Sequence, residues 1–329
     1  MTEASRITGA YDAFNRRVNY LRISVTDRCN LRCVYCSEGD ISHLRHDDIL
    51  SYEEIERVTR AAAEMGVSHV RLTGGEPLVR PYLSNLIELL TAVPGIDDIS
   101  LTTNGTLLEA QAEKLRNAGL RRINVSLDSL RPERFAKITG GDKLEDVLGG
   151  IEAAHRVGLS PVKINMVVMP GVNDDEVVDF ALRAKDDGWN VRFIEYMPFG
   201  GTNGHLTLTV AEIKERIELA LGELWPCCLN GAGPANYFSF GAGLGTIGFI
   251  RPVSHRFCGH CNRLRLTADG KLRPCLLADL EIDIKSALRD GAGIPELKEL
   301  LGQAVMAKPE RHYLEESAVG GRQMRQIGG

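Results

Sequence analysis

Asp27-Arg28-Cys29-Asn30-Leu31-Arg32-Cys33-Val34-Tyr35-Cys36 sets three thiols on one short loop in a C-x3-C-x2-C spacing. Three thiolates can hold three corners of a four-iron cubane and leave one iron without a protein ligand, whereas a structural zinc is closed by four ligands. An open iron is a place to bind and reduce something. The loop directly follows Tyr20 to Thr26, a stretch of strand character.

Outward from that strand, strand-like and helix-like segments alternate as far as about residue 220. Strands are expected at 20–26, 68–73, 98–102, 122–127, 161–168 and 190–196, and helices at 51–65, 81–93, 109–118, 143–157 and 174–187. The first helix opens on Ser51 with Glu54 completing a capping box. Six βα units in series predict an α/β fold, a parallel sheet or open barrel. Past residue 230 the chain turns to glycine-rich turns and short strands near 236–250 and 263–274, then helical stretches near 282–290 and 295–308. Pro226 and the Asn230-Gly231 and Gly233-Pro234 dipeptides break regular structure between the two textures. Three parts are expected: a lead segment 1–16, a partial barrel 17–230 and a smaller α+β domain 231–329.

Parallel strands covered on both faces read as nearly continuous apolar runs. Here five strands alternate instead. Leu21, Ile23 and Val25 oppose Arg22, Ser24 and Thr26; Val70 and Leu72 oppose Arg71 and Thr73; Ile99 and Leu101 oppose Ser100 and Thr102. Ile123, Val125 and Leu127 oppose Asn124, Ser126 and Asp128, and Val162 and Ile164 oppose Lys163 and Asn165. The sixth, Val191 to Tyr196, shows no clean alternation. A cation aimed into a dry core costs several kcal/mol unless paired, so the polar faces are expected to line a cavity. Arg22, Arg71 and Lys163 would give that cavity three positive charges, which suits a polyphosphate.

A second triplet, Cys258, Cys261 and Cys275, has the spacing C-x2-C-x13-C, with Arg263 and Arg265 beside it. Alone it could be a zinc site completed by His260 or His255. Beside the first triplet, it offers a second open iron. The adjacent Cys227-Cys228 pair is left over and reads as two partly buried small residues near Trp225.

The formal net charge of -5 and pI near 6.0 argue against nonspecific binding to nucleic acid or to a membrane surface. Residues Met1 to Arg17 are polar and charged, and no apolar run is long enough to span a bilayer. Eight cysteines, six of them in metal-like spacings, fit a reducing, cytoplasmic compartment and no disulfide framework.

The first triplet resembles the signature of the radical S-adenosylmethionine (SAM) superfamily. There the open iron chelates the amino and carboxylate groups of SAM and delivers one electron, which releases a 5'-deoxyadenosyl radical. With both triplets, Leu72-Thr73-Gly74-Gly75-Glu76-Pro77, Thr102-Thr103-Asn104-Gly105, Cys261-Asn262-Arg263-Leu264-Arg265 and the Gly328-Gly329 ending, the chain resembles the molybdenum cofactor biosynthesis protein A family, the GTP 3',8-cyclases. The likeness runs from about Asn15 to the final residue.

That resemblance implies an incomplete (β/α)6 barrel with a 4Fe–4S cluster on Cys29, Cys33 and Cys36 and another on Cys258, Cys261 and Cys275, at the two ends of a shared cavity. It implies SAM contacts at Tyr35, Gly75, Ser126 and Met197, and GTP contacts at Arg22, Arg71, Thr102, Lys163, Arg263, Leu264 and Arg265. Arg22, Arg263 and Arg265 are the expected catalytic residues. Gly74 and Gly75 would let backbone approach the ligand closely, with Glu76 accepting a hydrogen bond from its ammonium. The implied reaction removes hydrogen from C3' of GTP and joins C3' to C8. The product passes to cyclic pyranopterin monophosphate synthase. A reductant is required, flavodoxin- or ferredoxin-like or of another kind, which the sequence does not identify; the diglycine end is placed in the active site, and a homodimer is left open. Two other readings remain at this point: a radical SAM peptide-modifying enzyme with an auxiliary cluster, and a non-catalytic zinc-binding module.

Overall fold

The computed structural model describes residues 9–36, 43–197, 208–229, 233–254, 257–312 and 322–328. Six strands pair side by side in chain order, all parallel: β1 (Tyr20–Ser24), β2 (His69–Thr73), β3 (Asp98–Thr103), β4 (Arg122–Ser126), β5 (Val162–Val168) and β6 (Asn190–Glu195). Helices Tyr52–Glu64, Leu83–Thr91, Ala112–Asn117, Leu144–Arg156 and Val177–Asp187 lie between them, close to the expected bounds. The Ser51–Glu54 capping box forms as read. Helices Pro132–Thr139 and Val210–Leu221 were not anticipated, although Thr209 and Glu212 cap the second with the same box.

The later strands are β7 (Leu224–Cys227), β8 (Asn236–Phe240), β9 (Thr246–Ile250), β10 (Arg263–Leu266), β11 (Lys271–Arg273) and β12 (Ile282–Asp283). They extend the same sheet at both edges. β9 joins β6 and β10 joins β1, each in parallel, so the six βα strands gain one parallel neighbour on each side. β8 and β7 continue antiparallel beyond β9, and β11 and β12 beyond β10. The order is β12-β11-β10-β1-β2-β3-β4-β5-β6-β9-β8-β7, an open sheet and not a closed barrel.

Register turns the alternation into two surfaces. Leu21 pairs with Val70 and Val70 with Ile99, while Leu21, Val70, Leu72, Leu101, Ile123, Val125 and Ile164 are fully buried under the helices. Each such side chain contributes about 1.5–3 kcal/mol on burial. On the other face Arg265 aligns with Arg22 and Arg22 with Arg71, and Ser126 aligns with Asn165 and Asn165 with Arg192. The sixth strand keeps the parity after all, with Val191 and Phe193 outward in the core and Arg192 and Ile194 inward. Its pattern is masked in the sequence because apolar Ile194 shares the inner face with Arg192, and Glu195 at the strand end lines the cavity as well. Buried Glu195 accepts hydrogen bonds from Val253 N at 3.2 Å and Ser254 N at 3.0 Å.

Candidate active site

The inner face of the sheet walls a cavity of about 280 Å³. Arg22, Arg71, Thr102, Ser126, Asn165 and Arg192 come from the six parallel strands, and Tyr35 and Met197 from the loops after β1 and β6. Cys258, Cys261, Cys275, Arg263 and Arg265 close it from the C-terminal part.

Arg22 is held well below its ordinary pKa by burial and by Arg265 and Arg71. Burial and the facing Arg263 bring Arg265 to about 10, and burial brings Arg192 to about 10. Crowded, desolvated guanidinium groups of this kind favour a bound anion. Arg192 donates to Asn124 Oδ1 at 2.5 Å and was missed in the sequence because its strand lacked visible alternation. Lys163 is on the same face but outside the cavity wall, its ammonium 5.2 Å from the ring centre of Tyr237. Burial and the nearby Arg192 lower it to about 7.

All eight cysteines are free thiols. In the first triplet burial raises each thiol: Cys29 moderately, Cys36 to about 12, and Cys33 well above its ordinary value, with Asp128 adding to the last. Thiolates so placed call for a bound cation. Leu31 N lies 3.4 Å and Asn104 Nδ2 3.8 Å from Cys29 Sγ, and Tyr35 donates its hydroxyl to Asp128 at 2.7 Å. Asp128 was read as part of a polar row, and its pairing with Tyr35 is a finding of the structure.

In the second triplet, Cys275 is raised by burial, while Cys261 is lowered. Burial alone would raise Cys261, but Lys308 and Arg263 outweigh it. Lys308 donates to Arg263 O at 2.6 Å and Pro274 O at 3.0 Å and stands 3.8 Å from Cys261 Sγ. Arg16 ties the same turn down through Cys258 O at 2.8 Å. His260 is exposed and absent from the cavity wall; His255 lies outside the described residues. Among the described residues no three His, Cys, Asp or Glu side chains converge as ligands of a single ion. Thiolates that each hold a different corner of a cubane stand farther apart. Three thiols without a fourth protein ligand, twice over, fit the open-iron clusters.

Three expectations change in their reasons. Glu76 is fully buried, and its carboxylate accepts from Asn104 N at 2.6 Å, Leu78 N at 2.9 Å and Thr103 Oγ1 at 2.7 Å. It fastens the loops together and is turned away from the cavity. Gly75 is required because a Cβ there would lie 2.4 Å from Arg28 O; the close approach is to the cysteine loop's backbone. Leu264 packs in the core, on the face of β10 opposite Arg263 and Arg265, so only its backbone could meet a ligand. Cys29, Cys33 and Cys36 themselves lie beside the cavity and not in its wall, which Tyr35 reaches.

The C-terminal helix Met324–Ile327 lies next to that loop, with Met324 in the cavity wall and the Arg325 backbone N–H at the Cys36 thiol. Arg265 donates to Gly328 O at 2.7 Å, and a Cβ on Gly328 would lie 2.2 Å from Thr73 Oγ1. Gly328 therefore reaches the site, as expected of the tail; Gly329 lies outside the described residues.

Residues 23–184 match the Radical SAM superfamily and residues 189–314 match Molybdenum Cofactor Synthesis C. A GTP 3',8-cyclase of Pelotomaculum thermopropionicum is 50% identical over 97% of this chain and 99% of its own. The chain belongs to the GTP 3',8-cyclase family. Other cyclases, from Moorella thermoacetica (49% identical) and Thermodesulfovibrio yellowstonii (48%), align over 97% of this chain and 99% of theirs. Streptococcus suis SuiB bound to S-adenosylmethionine shares the fold at a TM-score of 0.59 and 15% identity, over 95% of this chain and 78% of that one. As a radical SAM enzyme of the cyclase family, the protein uses SAM and two 4Fe–4S clusters. No described helix is long and apolar enough to cross a membrane.

Proposed function

We propose that this protein catalyses the 3',8-cyclisation of GTP in molybdenum cofactor biosynthesis. The observation that carries the reading is one cationic cavity with a three-thiol site in its wall and a second three-thiol site beside it, in a chain of the cyclase family. Bound to this protein, SAM and a 4Fe–4S cluster would supply the 5'-deoxyadenosyl radical that takes hydrogen from C3' of GTP, after which C3' bonds to C8 and the purine radical so formed is quenched by one further electron from the external reductant and a proton.

The chain's own residues bind, align and exclude water. Cys29, Cys33 and Cys36 would hold the first cluster, with Tyr35, Ser126 and Met197 lining the SAM end and Gly75 and Glu76 shaping the loop behind it. Cys258, Cys261 and Cys275 would hold the second. Arg22, Arg71, Arg263 and Arg265, with Thr102, would receive the triphosphate and ribose, and Lys163 would add charge from behind Tyr237. Arg22, Arg263 and Arg265 are the catalytic candidates because their charge fixes where the nucleotide sits relative to the radical. In this division residues 17–230 carry the first cluster and part of the nucleotide site, and residues 231–329 carry the second cluster and the rest of it. A cytoplasmic site, a small one-electron donor, transfer of product to cyclic pyranopterin monophosphate synthase and association as a homodimer belong to the same proposal.

The test is anaerobic reconstitution with iron and sulfide, then incubation with GTP, SAM and a strong reductant. The expected products are 5'-deoxyadenosine and a GTP-derived compound that breaks down to a pterin. Formation of 5'-deoxyadenosine without any GTP-derived product would contradict the assignment of GTP as substrate.

A further inference from the structure

Along the first cysteine loop the side chains alternate. Cys29, Leu31, Cys33 and Tyr35 are buried or half-buried, whereas Arg28, Asn30, Arg32 and Val34 are exposed, Val34 at 56%. The thiols thus lie one residue behind a strip that faces solvent. Arg32 N and Val34 N donate to the carbonyls of Thr139 and Ile138 at 2.7 and 2.9 Å, which brings the exposed Lys137 alongside the strip. A hollow of about 750 Å³ continues the surface past Lys137 to the exposed Val172.

The cations on this face fall into two groups. Arg131 and Arg134 are tied to Asp175, and Lys143 is near Asp146. Arg28, Arg32 and Lys137 have no ion pair among the described residues. Glu133 and Asp142 are exposed on the same helix and turn and offset part of the charge. In a chain of net charge -5, a cationic and partly apolar strip over the thiols runs against the general sign of the surface. Such a patch steers an acidic partner to one face and leaves the rest of the surface repulsive to it.

We propose that Arg28, Arg32, Val34 and Lys137 form the docking face for a small acidic one-electron carrier protein that reduces the first cluster. The proposal rests on reading the first triplet as a cluster site. Each SAM cleavage needs one electron from outside at the first cluster; a second electron and a proton are needed later to quench the radical left when C3' bonds to C8. The path through protein to the first cluster is shortest where the thiols lie directly behind solvent. The carrier loses one electron and the cluster gains it, with no bond made or broken in that step. The second triplet sits in the wall of the inner cavity, and the exposed residues between its first two cysteines, Gly259 and His260, include no Lys or Arg.

The test uses anaerobic holoenzyme and follows bleaching of the cluster absorbance in stopped flow, without SAM or GTP. Reduced flavodoxin is one electron donor; photoreduced deazariboflavin, small and uncharged, is the other. The variants are R28E/R32E/K137E and the charge-conserving R28K/R32K. Flavodoxin-driven bleaching should slow about tenfold or more in the charge-reversed protein at low salt and stay near wild type in the Lys variant. Added salt should bring wild type toward the reversed variant. The deazariboflavin rate and the iron content should not change. Equal flavodoxin rates in wild type and the charge-reversed protein would overturn the proposal, and so would an equal slowing with both donors, which would mark damage to the cluster. Because neither arm contains GTP, failure of the cyclase reading would show up separately as absent product with the docking effect intact.

Discussion

The two cysteine triplets offer the same donors to opposite surroundings. At the first, burial raises all three thiols, and the carboxylates that face them, Glu76 toward Cys29 and Asp128 toward Cys33, push the same way. At the second, Lys308, Arg263 and Arg265 pull Cys261 down against its burial. Among the described residues a cation of the tail, Arg325, acts on the first triplet and lowers Cys29 and Cys36 against the other influences. The contrast matches two ligands of opposite charge, since SAM carries a sulfonium cation and GTP is a polyanion. On the proposed reading the cluster chemistry is common to both ends, and the charge around each sorts what it receives.

The largest effect should come from removing one end altogether. Replacing Cys29, Cys33 and Cys36 with Ala is expected to abolish SAM cleavage while leaving about half of the iron, which iron analysis and 5'-deoxyadenosine assay would check. A folded variant devoid of iron would show that the two sites depend on each other. Next comes Arg265→Ala, which removes a buried charge and its bond to Gly328. A charged hydrogen bond contributes about 1.5–3 kcal/mol, so GTP affinity should fall roughly 10- to 100-fold with both clusters retained. Unchanged affinity by equilibrium binding would take Arg265 out of the site.

How far this contrast was legible in the sequence differs between its two halves. Both triplets, all six parallel strands and the cationic inner face of Arg22 and Arg71 could be read from the sequence, five of the strands by alternation, because burial on one face of a strand leaves a period of two. Arg192 could not, since apolar Ile194 shares its inner face and Glu195 lines the cavity out of step with the alternation. Lys308, Arg16 and Asp128 act through bonds to carbonyls or partners distant in the chain, and no local pattern marks such bonds. Glu76 was noticed in the sequence, but its carboxylate serves Asn104 and Leu78. A motif residue can be necessary to a site by holding its loops.

Lys163 sharpens the electrostatics further. With its pKa lowered to about 7, it is partly neutral in the free enzyme, and an anion beside it would favour the protonated form. Binding then takes up a proton, so GTP affinity should decline as pH rises above about 7, by at most tenfold per pH unit. In Lys163→Arg the decline should flatten. The same slope in both proteins, measured by calorimetry across that range, would assign the dependence to another group.

The smallest effect belongs to the first end's scaffold. Tyr35→Phe leaves Asp128 Oδ2 buried without its donor and should lower stability by about 1–3 kcal/mol in chemical denaturation. A denaturation midpoint equal to wild type would mean that solvent replaces the hydroxyl.

Ligand sorting is tested most directly by equilibrium binding of SAM and GTP to two reconstituted variants, one lacking each triplet. The protein without Cys29, Cys33 and Cys36 should bind GTP and lose SAM; the protein without Cys258, Cys261 and Cys275 should bind SAM and lose most of its affinity for GTP. Both ligands binding equally well to either variant would contradict the division of the cavity into a SAM end and a GTP end.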